Sequence, residues 1–115
     1  MKIKEIAQLL KAEISTPAYC KDINIKSACS ADLMSDVMAF SKENAMLLTG
    51  LVNPQVIRTA EMMDIKVVVF VRGKKPNQGM IDLAEEKGIA LLETDYPLFV
   101  ASGKLYDVGI NGHGE

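Results

Sequence analysis

The groups in this chain that can do chemistry gather in four short segments: "CSAD" at 29–32, "TGLVN" at 49–53, "RGKKPN" at 72–77 and "ETDY" at 93–96. They supply hydroxyls on Ser30, Thr49 and Thr94, carboxylates on Asp32, Glu93 and Asp95, and cations on Arg72, Lys74 and Lys75. Gly50, Asn53, Gly73 and Asn77 stand between them as turn and helix-start residues. Cations beside glycines and helix-opening asparagines suit the holding of an anion. A guanidinium and the free N–H groups of a helix start both favour negative charge.

Sharper motifs are missing. A Walker A loop needs Gly, four residues, then Gly-Lys-Ser/Thr, so that the lysine and hydroxyl serve the terminal phosphates and the magnesium. Here five residues separate Gly73 from Gly79, and Met80 and Ile81 follow. No Gly-x-Gly-x-x-Gly occurs. The basic loop is therefore no known phosphate-transfer motif, and two readings stay open: a solvated turn, or an anion-contacting loop. The single histidine, His113, stands in the C-terminal tail, which leaves no credible Ser-His-Asp or Cys-His arrangement. Asp32 and Asp36 are expected on one helical face at i,i+4, where acids near a helix start are ordinary and need no metal. Glu85 and Glu86 beside Lys87 read as a solvated face. Cys20 and Cys29, nine positions apart, match neither a metal knuckle nor a redox pair. No catalytic residue, metal or cofactor is expected.

The elements that must position these segments follow from periodicity. Ile3, Ile6, Leu9 and Leu10 recur at helical spacing, so 2–11 reads as an amphipathic helix. "AEIS" is a brief strand and "INIKSACSA" is β-leaning. A helix is expected over 32–42, with Leu33, Met34, Val37, Met38 and Phe40 on its apolar side. From "AMLLTG" onward, strands and helices alternate. Asn53 caps a helix with Pro54 at its first position. "KVVVFV" is a strand, and the next helix is capped by Asn77 and stopped by Gly88. "IALLET" leads to a last helix, with Asp95 before it and Pro97 in its first turn. Short loops joining such units imply parallel pairing by right-handed crossovers. The strands are continuous apolar runs, so both sheet faces should be covered. The expectation is a layered α/β/α domain with a mostly parallel central sheet of about four to five strands. Ligands in such sheets bind outside the carboxyl ends of the strands, where all four segments fall.

The chain has 115 residues, 49% hydrophobic and 24% charged, which fits one domain with its own core. We divide it into an N-terminal helix and short strand (1–24), a core (25–110) and a polar tail expected to fray (111–115). A formal net charge of −2 gives no footprint for nucleic acid and no strong pull to anionic lipid. No apolar run approaches the ~18 residues of a membrane span, and the expected location is the cytoplasm. Met34, Met38, Met46, Met62, Met63 and Met80 suit core filling, and surplus apolar helix faces would mark self-association.

The order of segments resembles the DRTGG domain family over about 25–110. The stretches "ADLMSDVMAFSK", Pro76 to Thr94 and "GKLYDVGI" carry the resemblance. Thr49-Gly50 is present, with Leu51-Val52 where the family's Asp-Arg would follow. Val71-Arg72-Gly73 stands where Thr-Gly-Gly is expected and keeps the last glycine. The resemblance implies a fold similar to the N-terminal domain of HPr kinase/phosphorylase, whose kinase activity belongs to a separate P-loop domain. It implies a regulatory or dimerising module without turnover. The resulting expectation is a homodimer that binds a small anionic ligand, such as a nucleotide, or a partner protein. Its candidate site is Ser30, Asp32, Thr49, Gly50, Asn53, Arg72, Gly73, Lys74, Asn77, Thr94 and Asp95. The alternatives are a purely structural assembly subunit and a small enzyme acting on phosphorylated metabolites.

Overall fold

Three apolar runs, buried almost throughout, form the middle of the sheet: β3 (Ala45–Thr49), β4 (Val67–Phe70) and β5 (Ala90–Glu93). The computed structural model describes residues 1–19, 22–42 and 44–112. β2 (Ser27–Ser30) lies parallel to β3 at one side, and the two-residue β1 (Glu13–Ile14) pairs antiparallel with β5 at the other. The strand order is β1-β5-β4-β3-β2. The layered, mostly parallel five-stranded α/β architecture agrees with the sequence expectation.

Five helices cover this sheet: α1 (Ile3–Leu10), α2 (Met34–Phe40), α3 (Pro54–Met62), α4 (Gln78–Lys87) and α5 (Leu98–Asp107). β2 to β5 follow one another in space as they do in sequence. Right-handed crossovers then place α2, α3 and α4 on one face. The core divides accordingly. Val37, Val56, Ile57, Met80 and Ala84 pack with Leu47, Val68, Phe70 and Leu91. On the other face Ile3, Ile6, Leu10, Ala101 and Leu105 pack with Met46, Leu48, Val67, Val69 and Leu92. Alternate residues of one strand thus serve opposite cores, which is why the strands read as unbroken apolar runs.

The helix boundaries depart from expectation in ways that bear on the site. α2 begins at Met34 with Leu33 at its N-cap, so Asp32 lies outside the helix and shares no helical face with Asp36. Its carboxylate is engaged instead by the end of β3. Pro97 is the N-cap of α5 rather than a residue of its first turn. After α5 the chain does not fray at once: Ile110 is buried, and Ala28 N donates to the Asn111 carbonyl at 2.9 Å. Asn111 forms a parallel bridge to Ser27, which extends the sheet past β2. Cys20 and His113 lie outside the described residues. Among the described residues, no helix is long and apolar enough to cross a membrane.

Candidate functional site

The carboxyl ends of β2 to β5 share one edge, and Asp32 ties two of them together. Its Oδ1 accepts from Gly50 N at 2.7 Å and from the Thr49 hydroxyl at 3.1 Å. Thr49 Oγ1 in turn accepts from Leu51 N at 3.1 Å. The chain leaving β3 is therefore fixed by one carboxylate oxygen and one hydroxyl. The other oxygen, Asp32 Oδ2, faces Arg72 Nη2 at 3.7 Å. That is an ion pair, yet too long for a hydrogen bond. Both side chains are half exposed, so the pair adds little stability.

Arg72 is set by its backbone. Its φ is 59°, in the left-handed region, and Gly73 follows at φ 70°. Two hydrogen bonds hold this turn against the end of β5: Arg72 N donates to the Tyr96 carbonyl and Gly73 N to the Thr94 carbonyl, each at 2.9 Å. A left-handed arginine costs about 1–2 kcal/mol, so the surrounding bonds must over-determine it. The result lays the guanidinium across Gly50: a β-carbon built there would sit 2.2 Å from Nη2. Among the described residues the guanidinium makes no hydrogen bond. The protein thus positions a planar, half-exposed cation whose N–H groups donate to no acceptor among the described residues.

The remaining candidates divide between structure and edge. Thr94 is buried, and its hydroxyl donates to the Leu10 carbonyl at 2.7 Å and accepts from Tyr96 N at 3.2 Å. It locks β5 to α1. Asn53 accepts from Gln55 N at 2.8 Å and Asn77 from Met80 N at 2.9 Å, so both amides serve as caps. Ser30 turns to the opposite face, where its hydroxyl meets that of Ser102 at 2.7 Å. Lys74 and Asp95 are exposed on the same rim as Arg72. Asp32, Thr49, Gly50 and Arg72 form one connected cluster, and Gly73 and Asp95 adjoin it.

The helix starts are less open than their number suggests. At α3, Pro54 has no N–H, Gln55 N is held by the Asn53 side chain, and Val56 N donates to the Asn53 carbonyl at 3.1 Å. This N-terminus is closed to an anion. At α4, no acceptor among the described residues meets the N–H of Gln78 or Gly79.

With the geometry defined, its likeness to known proteins is informative about the fold. The chain is similar in structure to the CBS and DRTGG domains of the regulatory region of Clostridium perfringens pyrophosphatase, crystallised with its activator diadenosine tetraphosphate. The TM-score is 0.69 at 17% identity, covering 97% of this chain and 51% of that one. The chain therefore spans about half the length of that structure. No protein-family model and no curated protein sequence matches it.

One feature of the edge lies outside the sequence reading. Lys75 Nζ is 2.9 Å from Glu93 Oε1, while Glu93 Oε2 accepts from the Ser15 hydroxyl at 3.0 Å. The hydrogen bond to Glu93, and then its charge, raise the Lys75 pKa above the ordinary lysine value. Lys75 and Glu93 are visible in the sequence, but Ser15 reaches them only through the antiparallel β1–β5 register, which no local pattern encodes. The small cavity beside them, about 90 Å³, is also lined by Lys11, Glu13, Gly73 and Asp95. A much larger cleft, about 920 Å³, opens at the opposite edge, by the amino ends of β2, β3 and β4. Volume alone would favour that cleft. The positioned guanidinium favours the carboxyl edge for anion recognition, because specificity comes from placed donors rather than from space.

Proposed function

We propose that this chain is a non-catalytic regulatory module of the DRTGG type, a cytoplasmic homodimer that senses a small anionic ligand, such as a nucleotide, at the Arg72 edge. The observation that carries this reading is the guanidinium laid over Gly50, held by a left-handed backbone and without a hydrogen bond among the described residues. A phosphate bound there would take the fork of Arg72 in place of the distant Asp32 carboxylate. Lys74 and the open amides of Gln78 and Gly79 add positive potential along the same rim. The ligand would act by favouring one arrangement of the two subunits over another. The structurally similar regulatory region binds a nucleotide activator, in keeping with such a role.

A second reading is supported by a different observation. Phe99, Met62, Tyr106 and Leu33 are 88%, 71%, 69% and 61% exposed, apolar surface that a purely structural assembly subunit would use.

A thermal-shift screen against nucleotides, phosphorylated metabolites and inorganic anions tests the sensor reading. A ligand at 100 times its dissociation constant adds about 2.7 kcal/mol, a rise of several degrees for a domain of this size. The rise should be lost in Arg72→Ala and reduced in Lys74→Ala. No shift with any of the ligands would favour the structural subunit.

A further inference from the structure

The outer face of α5 reads the same from either end: large, small, small, large. Phe99, Ser102, Gly103 and Tyr106 stand at i, i+3, i+4 and i+7, one stripe down the helix. Ala101 and Leu105, on its other side, are buried in the core, so the stripe points to solvent. Phe99 and Tyr106 at its ends are 88% and 69% exposed. Between them the surface dips to the helix backbone: a β-carbon added at Gly103 would meet nothing within 4 Å. The Ser102 hydroxyl meets that of Ser30, so the stripe borders the end of β2. From Tyr96 to Gly103 the chain carries no charge, and the ammonium of Lys104 lies over the Tyr96 ring, 5.1 Å from its centroid.

This order of residues selects the partner. Turned end for end, an identical helix presents Tyr106 to Phe99 and Ser102 to Gly103, and the same contacts recur in reverse. That is the self-complementarity of a two-fold interface, in which residue i meets j and j meets i. Glycine at the middle lets the two backbones approach closely, and the rings at the ends can meet offset or edge to face. The two rings would bury roughly 300 Å² per subunit, over a third of the about 800 Å² per subunit of a standard interface. An unrelated partner would need none of this symmetry.

We propose that α5 is the contact face between two copies of this chain, packed antiparallel about a two-fold axis that passes between Ser102 and Gly103. The inference rests on the homodimer reading above and names the surface that forms it.

Sedimentation velocity of the full chain over a concentration series is the test. The wild type should be a dimer. Phe99→Glu and Gly103→Gln should each raise its dissociation constant by about tenfold or more. Glutamine favours a helix over glycine, so the Gly103→Gln monomer should melt no lower than the wild-type monomer, both measured where the dimer has dissociated. Met62→Glu changes an equally exposed apolar residue on α3 and should leave the dimer intact. A dimer that survives both α5 variants would overturn this proposal and leave the homodimer reading standing on another face. Dissociation by Met62→Glu alone would do the same and point to α3. A wild type that stays monomeric at hundreds of micromolar would overturn the proposal and the homodimer reading together, while anion binding at Arg72 would still be read by its own thermal shift.

Discussion

The guanidinium of Arg72 occupies the space that a side chain at Gly50 would need, with Nη2 2.2 Å from the position of the missing β-carbon. The two residues lie in the loops after adjacent strands, β4 and β3, so their contact is a product of the parallel register that pairs Thr49 with Phe70. A glycine at the end of one strand thereby sets the pose of a cation at the end of the next.

Gly50→Ala should displace Arg72 rather than unfold the protein. The atom in the way is the far end of a flexible side chain, and Gly50 is not among the residues with positive φ. Stability should change by less than about 1 kcal/mol, while anion affinity should fall as far as in Arg72→Ala. A double-mutant cycle checks this: adding Gly50→Ala to Arg72→Ala should have no further effect on affinity.

Asp32 should have opposite effects on structure and on the proposed anion binding. Its Oδ1 holds Gly50 N and Thr49, and its Oδ2 faces Arg72. Asp32→Ala should destabilise by about 1–2 kcal/mol through the lost charge-assisted bonds. Asp32→Asn keeps an acceptor for Gly50 N but removes the negative charge beside the guanidinium. It should bind a phosphate probe several-fold more tightly than the wild type. Denaturant melts and isothermal titration of the two variants separate these roles.

The fold was legible because its strands are continuous apolar runs and its caps are explicit. Asn53, Pro54, Asn77 and Gly88 stand where the helices begin or end. The positions of Gly50, Arg72 and Gly73 at one edge followed from topology alone. Their division of labour did not. Thr94 looks like an edge hydroxyl in the sequence, yet it is buried against Leu10, 84 positions away. Asn53 looks like an open helix start, yet its side chain and Pro54 close that start to ligands. The left-handed Arg72 carries no local signature, because the bonds that hold it come from Thr94 and Tyr96 on the next strand's exit.

The Lys75–Glu93 contact predicts a pH dependence on the alkaline side. The bond to Glu93 raises the Lys75 pKa in the folded state above its ordinary value. Folding is then favoured while lysine is protonated in both states. That contribution is complete below the unfolded pKa, about 10.4. It is lost as pH rises through the higher folded value. Lys75→Gln should lose this contribution at neutral pH, where it is complete, and flatten the alkaline slope. Because Lys75 is exposed, the slope should also shrink in high salt. Urea melts across the lysine titration range, with and without salt, provide the measurement.

Cys29 provides a probe of the α2 face. Burial pushes its thiol pKa up, and Asp36 pushes it further. The thiolate is the reactive form, so Cys29 should alkylate more slowly in the folded protein than in the unfolded chain. In a Cys20→Ser background, iodoacetamide labelling followed by mass spectrometry reads Cys29 alone. Asp36→Asn should speed labelling of the folded protein by removing the smaller of the two causes, and urea should abolish the difference between the variants. Equal rates for Asp36→Asn and its parent before unfolding would mean that burial alone protects the thiol, with α2 acting as a cover and its carboxylate as a bystander.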